Sequence, residues 1–269
     1  MIPQPWIEAW RAEAPWASAA LVEQDLVLSR AIVEIFRVPE LAAALAFRGG
    51  TALHKVHLRP GARYSEDIDL VQAVPAPIGP TFDRVRSVLD PWLGTPKRDL
   101  KEGRVNLIYR FTSQEDPPRQ LRLKIEINSR EQFAVFGHTK VPFEVRSDWF
   151  TGSAELTTFH LDELMGTKLR ALYQRKKGRD LFDMAMALDH GADPERIVAC
   201  FSRYMTEGGH HVTRAQFEQN LHEKRARDVF RGDLEPLLRL GSAWDPESAL
   251  TRVLAELVAR LPGDPWAGA

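Results

Sequence analysis

Two aspartates one residue apart, Asp67 and Asp69, stand in the run Asp-Ile-Asp-Leu-Val. The run reads as a strand, in which residues two apart share a face. Both carboxylates then point to one side, and Ile68 and Leu70 to the other. Hard divalent cations favour carboxylate oxygens, and Mg²⁺ commonly takes one or two of them together with substrate phosphates. The alternative is a solvated strand face beside a turn. Against it, two like charges side by side repel, and Asp is disfavoured in strands. Upstream, Gly49-Gly50-Thr51 opens a predicted helix after a short apolar run. N–H groups at a helix start bind phosphate oxygens, and glycine lets the backbone approach closely. Thr51 can cap that helix or hydrogen-bond a phosphate. Alone, the triplet is also a plain strand-to-helix turn with a Thr N-cap.

Two further stretches carry charge in a useful pattern. Leu121 to Asn128 alternates strictly, with Arg122, Lys124, Glu126 and Asn128 on one face. If this strand neighbours the Asp67 strand, Glu126 completes a carboxylate triad and Lys124 lies one side chain away. Otherwise it is an ordinary half-exposed strand. Leu161 to Asp183 has an apolar helix face of Leu161, Leu164, Met165, Leu169 and Leu172. Lys168, Arg175, Lys176, Lys177 and Arg179 concentrate positive charge near Asp180 and Asp183. Such a field suits a triphosphate or an RNA backbone. It is also what a solvated basic face looks like, with Asp180 favoured by the dipole at a helix start. His54 with His57, and His210 with His211, have no matched partner at metal-ligand spacing and read as surface or packing residues. Trp6, Trp10 and Trp16 read as core anchors.

The elements that must position these groups change character along the chain. Helical spacing marks Pro5 to Ala14, Ser18 to Phe36 and Leu41 to Leu45. A brief strand ending near Arg48, a helix from Thr51 to Leu58 and the Asp67 strand follow. After a proline-rich loop, Val74 to Pro80, comes a helix over Thr81 to Leu93. Val105 to Phe111 and Leu121 to Asn128 read as an antiparallel pair, and Lys140 to Arg146 and Glu155 to Phe159 as further strands. From His160 on, helices are predicted at Leu161 to Arg175, Arg179 to Asp189, Pro194 to Met205, Thr213 to Phe230, Leu234 to Leu240 and Pro246 to Leu261. The tail, Pro262 to Ala269, reads as poorly ordered. The expected fold class is α+β: a mixed-sheet half, 1–158, then a helical half, 159–269.

Composition bounds the partners. At 269 residues, 44% hydrophobic and 27% charged, with a net charge of -1, the chain has material for a sizeable core and no global pull toward nucleic acid. The single cysteine, Cys200, forms no intrachain disulfide and sits in an apolar helical pattern. No secretory signal or membrane-length apolar run is seen, so a cytoplasmic location without membrane partners is expected.

Taken together and in order, the motifs resemble the nucleotidyltransferase-like toxins of the AbiEii/AbiGii family, on the DNA polymerase β-type nucleotidyltransferase fold. FRGGTALHKV followed by RYSEDIDLV is similar to the family's opening motif, Gly-Gly-Ser/Thr then Asp-x-Asp. LKIEIN is similar to the second, GTKLRAL to the third with its helix lysine, and GRDLFDM to the fourth with its aspartate. The resemblance runs from about Phe47 to Met184. Thr51 stands where many members have Ser, and Glu126 where Asp is common.

The resemblance implies Mg²⁺-dependent transfer of a nucleotide from an NTP to an RNA acceptor, in several members the 3′ end of tRNA. It also implies a toxin neutralised by an antitoxin encoded beside it. The site expected on that basis has Gly49, Gly50 and Thr51 on the β- and γ-phosphates, with Ser65 adding a contact. Asp67 and Asp69 bind the metal, with Glu126 as third carboxylate. Lys124 and Lys168 stabilise the triphosphate, Asp180 positions Lys168 or the nucleotide, and Arg175, Lys176, Lys177 and Arg179 hold RNA. Three other readings stay open: transfer onto a protein, a catalytically silent NTP- or RNA-binding module, and a purely structural protein.

Overall fold

The computed structural model describes residues 2–239 and 241–268. The chain divides into two compact units, Met1–Phe159 and His160–Ala269. The first opens with α1 (Gln4–Trp10), α2 (Ala19–Phe36) and α3 (Pro39–Ala44). Strand β1 (Leu45–Arg48) runs directly into α4 (Gly49–Ala52), which continues as a π-helical turn over Leu53–His57. Then come β2 (Asp67–Gln72), α5 (Ile78–Leu93), β3 (Lys97–Lys101), β4 (Arg104–Thr112), β5 (Gln120–Asn128), β6 (His138–Arg146) and β7 (Thr151–Phe159).

The strands form one seven-stranded mixed sheet in the order β3-β4-β5-β2-β1-β7-β6. β2 pairs in parallel with β5, and β1 with β7; the remaining neighbours are antiparallel. A parallel pair requires a long crossover, here α5 and the β3–β4 hairpin between β2 and β5. Period-2 alternation sends Ile68, Leu70, Leu123, Ile125 and Ile127 to one face, where all are buried with Leu26, Ile32 and Val33 of α2. Each such side chain contributes about 1.5–3 kcal/mol. That burial fixes β2 and β5 one way up, and so commits Asp67, Asp69, Lys124 and Glu126 together to the opposite face.

The second unit contains α6 (Leu161–Gln174), α7 (Gly178–Asp189), α8 (Pro194–Glu207), α9 (Arg214–Arg225), α10 (Asp228–Gly232) and α11 (Pro246–Glu256). Thr213 and Gln216 make a reciprocal capping box at the start of α9, and Asp193 and Asp245 cap α8 and α11.

Several expectations need correction. The helix after the glycine turn starts at Gly49 rather than Thr51. Strand β3, KRDLK, has no apolar alternation because it is an exposed edge. The helix expected over Thr213 to Phe230 breaks between Arg225 and Asp228. Of the helix expected over Leu234 to Leu240, one 3₁₀ turn forms at Glu235–Leu237, where Pro236 removes a donor; Leu240 lies outside the described residues. The tail is anchored: Pro262 O accepts from Arg214 N at 2.9 Å, and Trp266 N donates to Glu218 at 2.7 Å. Its last residue, Ala269, lies outside the described residues. Trp10 and Trp16 are core residues as expected, and Trp6 is only half-buried. No helix among the described residues is long and apolar enough to cross a membrane.

Candidate active site

The acid pair is held by the glycine turn. β1 and β2 pair with Arg48 opposite Asp69, so the turn that follows Arg48 lies against the Asp69 side chain. Gly49 adopts φ +82°, a left-handed conformation that favours glycine, and a Cβ there would lie 2.1 Å from Asp69 Oδ2. Glycine is required twice over, by its backbone and by the carboxylate packed against it. The Thr51 hydroxyl donates to the Asp67 carbonyl at 2.5 Å and lies 2.9 Å from Ser65 Oγ. Thr51 is fully buried and does not cap α4, whose N-cap is Arg48. Its hydroxyl, expected on a phosphate or at the cap, instead fastens the start of β2 to the turn. The groups left to meet a phosphate at this turn are the backbone N–H groups of the helix start.

The parallel pairing sets Asp67 opposite Lys124 and Asp69 opposite Glu126. Lys124 Nζ lies 2.8 Å from Glu126 Oε2 and 3.7 Å from Asp67 Oδ2, while Arg104 Nη1 lies 3.7 Å from the same Glu126 oxygen. Burial opposes the charge on Lys124, but the Glu126 hydrogen bond and the charges of Asp67, Glu126 and Asp69 hold its pKa above the ordinary lysine value. Asp67 is pushed up to about 6, first by burial and then by the Asp69 charge, with Lys124 offsetting part of the rise. Its Oδ1 is buried and has no hydrogen-bond partner among the described residues. A buried carboxylate oxygen left over beside a second carboxylate fits a hard divalent cation, which would remove both penalties at once.

Glu126, expected as the third carboxylate, stands opposite Asp69 across the β2–β5 pair. Its carboxylate is engaged by Lys124 and faces Arg104, and no group of three or more His, Cys, Asp or Glu side chains among the described residues is placed to hold a metal. The residues fit a two-carboxylate site whose other ligands come from phosphate and water, the usual Mg²⁺ arrangement.

Two features were not legible as site elements. Arg48, across from Asp69, donates to Glu131 at 2.6 Å, which brings a guanidinium to the edge of the acid pair. Asp25, a charged residue inside an apolar helix pattern, is a buried hub. It accepts from Trp10 Nε1 and Trp16 Nε1, each at 3.0 Å, and from Lys55 Nζ at 2.8 Å. A polar cavity of about 300 Å³ opens between these groups and the turn, walled by Asp25, Thr51, Lys55, Arg59, Arg63 and Ser65 among others. Thr51 and Ser65 are in its wall, and Asp67 and Asp69 are not.

The second unit has its own charge cluster. Asp180 and Asp183 on α7 are fully buried. Lys168 of α6 lies 2.8 Å from Asp183 Oδ2 and 3.3 Å from Asp180 Oδ1. Arg175 donates through Nε and Nη2 to both oxygens of Asp180, at 2.8 and 2.9 Å. Asp183, read from the sequence only as a neighbouring acid, is thus the closer partner of Lys168. Of the four cations expected on RNA, Arg175 is taken up by Asp180 and Arg179 faces Asp233 at 3.8 Å; Lys176 is exposed and Lys177 half-buried.

Comparison with known proteins places this geometry in a family. A family model described as nucleotidyl transferase AbiEii toxin, type IV TA system, matches residues 30–252. Among solved structures, MenT4, a nucleotidyltransferase toxin from Mycobacterium tuberculosis H37Rv, superposes with a TM-score of 0.65 at 15% identity, covering 98% of this chain and 92% of that one. JHP933 from Helicobacter pylori superposes with a TM-score of 0.53 at 17% identity, covering 90% of this chain and 93% of that one. At these identities the likeness shows the fold. A comparison with curated proteins found no match. The family match, over most of the chain and across both the glycine turn and the Lys168–Asp180 cluster, makes this chain a member of the AbiEii nucleotidyltransferase toxins of type IV toxin–antitoxin systems, which act on an NTP and are matched by an antitoxin.

Proposed function

We propose that the enzyme transfers a nucleotide from an NTP to an RNA acceptor, the 3′ end of tRNA, in a Mg²⁺-dependent reaction at Asp67 and Asp69. One observation carries the reading: a buried, unpartnered Asp67 oxygen beside the Asp69 carboxylate, with a glycine turn packed against the pair. Such a pair is costly unless a cation is shared. Asp67 and Asp69 would hold Mg²⁺, which supplies charge neutralisation at the phosphates. The backbone N–H groups of Gly49 and Gly50 would bind the β- and γ-phosphates. In the transfer, the acceptor 3′-oxygen bonds to the α-phosphorus, the α–β bridging bond breaks, pyrophosphate leaves, and the hydroxyl proton passes to solvent. Lys124, held by Glu126, places a cation beside Asp67. Lys168 is the second cation expected on the triphosphate, positioned by Asp180 and Asp183; Ser65 adds a contact through the turn. The setting is the cytoplasm, where NTP, tRNA and the antitoxin meet.

The test is incubation of the protein with radiolabelled NTPs, Mg²⁺ and total tRNA beside Asp67→Asn. Label on RNA with the wild type, reduced at least 10³-fold in the variant, is the expected result. Label on protein instead, or equal labelling by both, would sink the proposal.

A further inference from the structure

The face of the sheet that bears Asp67 and Asp69 continues across β5, β4 and β3. Register pairs share a face, so the rows can be read outward from the acids. Asp67 is followed by Lys124, Ile108 and Lys97, and Asp69 by Glu126, Asn106 and Asp99. The next row inward along β5 sets Arg122 directly opposite Arg110, and at the other end Arg104 stands opposite Lys101. Lys97, Lys101, Arg110 and Arg122 are exposed, and Arg104 and Lys124 half-buried. Against them this face of β3–β5 sets Asp99, which accepts from Asn106, and Glu126, which is already neutralised by Lys124. The opposite parity is structural: Arg98 stacks over Phe82 of α5, and Leu107, Tyr109, Leu123 and Ile125 are buried.

The Arg110–Arg122 pair is the telling feature. Like charges directly opposite on antiparallel strands destabilise a sheet. Arg122 reaches the exposed Glu66 at 3.1 Å, a surface contact worth little, and Arg110 stands across from it in solvent. Two guanidiniums kept side by side at this cost, next to a metal-type acid pair, match a ligand that brings repeated negative charge. Lys124 stands beside Asp67 across the β2–β5 pair, and Arg122 lies one same-face step, about 7 Å, further along β5.

We infer that the β3–β5 face is the track along which the acceptor RNA backbone lies, leading its 3′ end to Asp67 and Asp69. This rests on the RNA-transfer reading above and adds to it the place of the acceptor, on the sheet of the first unit. Arg110 and Arg122 bind phosphates; Arg104 and Lys101 extend the track toward the sheet edge.

The test uses the full chain and total tRNA, with fluorescence anisotropy measured across salt in the absence of NTP. The double variant Arg110→Gln/Arg122→Gln should raise Kd about 10-fold or more at 0.15 M salt. It should also lower the slope of log K against log salt by about 1.4–2. Lys140→Gln, on the far edge strand, should leave the slope as in the wild type. Removing a like-charge pair should keep the melting temperature equal or raise it, which separates lost binding from lost folding. An unchanged slope in the double variant, or no salt-dependent RNA binding by the wild type, overturns the inference. If the wild type labels no RNA yet loses RNA affinity on substitution, the transfer reading fails while the track stands.

Discussion

At the scale of single residues, Gly49 and Asp67 carry the sharpest consequences. Gly49→Ala puts a methyl 2.1 Å from Asp69 Oδ2 at a φ of +82°, so either the turn or the carboxylate must move. The expected outcome is a destabilisation of about 1–3 kcal/mol with at least a 10²-fold fall in transfer rate, read by thermal melting and by incorporation of label. Asp67 binds its proton more tightly folded, with a pKa of about 6, than unfolded, near 3.9. Stability is therefore lost as pH rises from about 4 through about 6, by up to ~2–3 kcal/mol. Asp67→Asn removes a charge the fold disfavours. The variant should melt higher than the metal-free wild type above pH 6 and at the same temperature below pH 4, while being inactive. A variant that melts lower at every pH would refute this account of the burial.

At the scale of elements, α6 and α7 are coupled through charge. Lys168 neutralises two fully buried acids, so Lys168→Ala leaves Asp183 without its close cation. A loss of about 3–5 kcal/mol is expected, measured by urea unfolding at pH 7.5. Loss of activity in that variant is interpretable only beside its stability, whereas Asp183→Asn with Lys168 intact is the gentler probe. The same scale shows what the sequence could and could not carry. DIDLV and LKIEIN alternate apolar and polar residues, so their faces were legible, and the four motifs in order marked the fold. The pairing of β2 with β5 was legible only as a condition, because period-2 alternation identifies a face but not its neighbour. Glu126 was read as a third carboxylate if its strand neighbours β2; the parallel register does set it opposite Asp69, and Lys124, two residues away on the same strand, engages its carboxylate. Thr51 looked like a phosphate ligand, and burial turned its hydroxyl onto the Asp67 carbonyl. Asp25 left no signal, since a buried acid in a helix is visible only through Trp10, Trp16 and Lys55 brought from elsewhere. Edge strand β3 was missed because an edge needs no apolar face.

At the scale of the molecule, a metal held by the acid pair, as proposed, would tie stability to Mg²⁺. A cation that binds only the folded chain stabilises it by about 2.7 kcal/mol at one hundred times its Kd. Mg²⁺ should therefore raise the melting temperature of the wild type above pH 6. The gain should shrink as Asp67 takes up its proton, and be absent in Asp67→Asn or in excess chelator. A shift of equal size in Asp67→Asn would place the metal elsewhere.

The crossover between β2 and β5 also sets an order in time. Asp67 and Asp69 leave the ribosome early, but the strand that supplies Lys124 follows only after α5 and the β3–β4 hairpin have been made. β1, which carries the glycine turn, waits longer still for β7, whose Thr158 hydroxyl donates to Phe47 O at 2.6 Å. Contacts this distant in sequence form late, because the intervening chain must be closed first. A growing chain that already displays both aspartates thus has no assembled site. The strands that frame the acid pair are complete only once β7 has been made, some ninety residues after Asp69, so the order of synthesis separates the appearance of the two carboxylates from the assembly of the sheet that holds them.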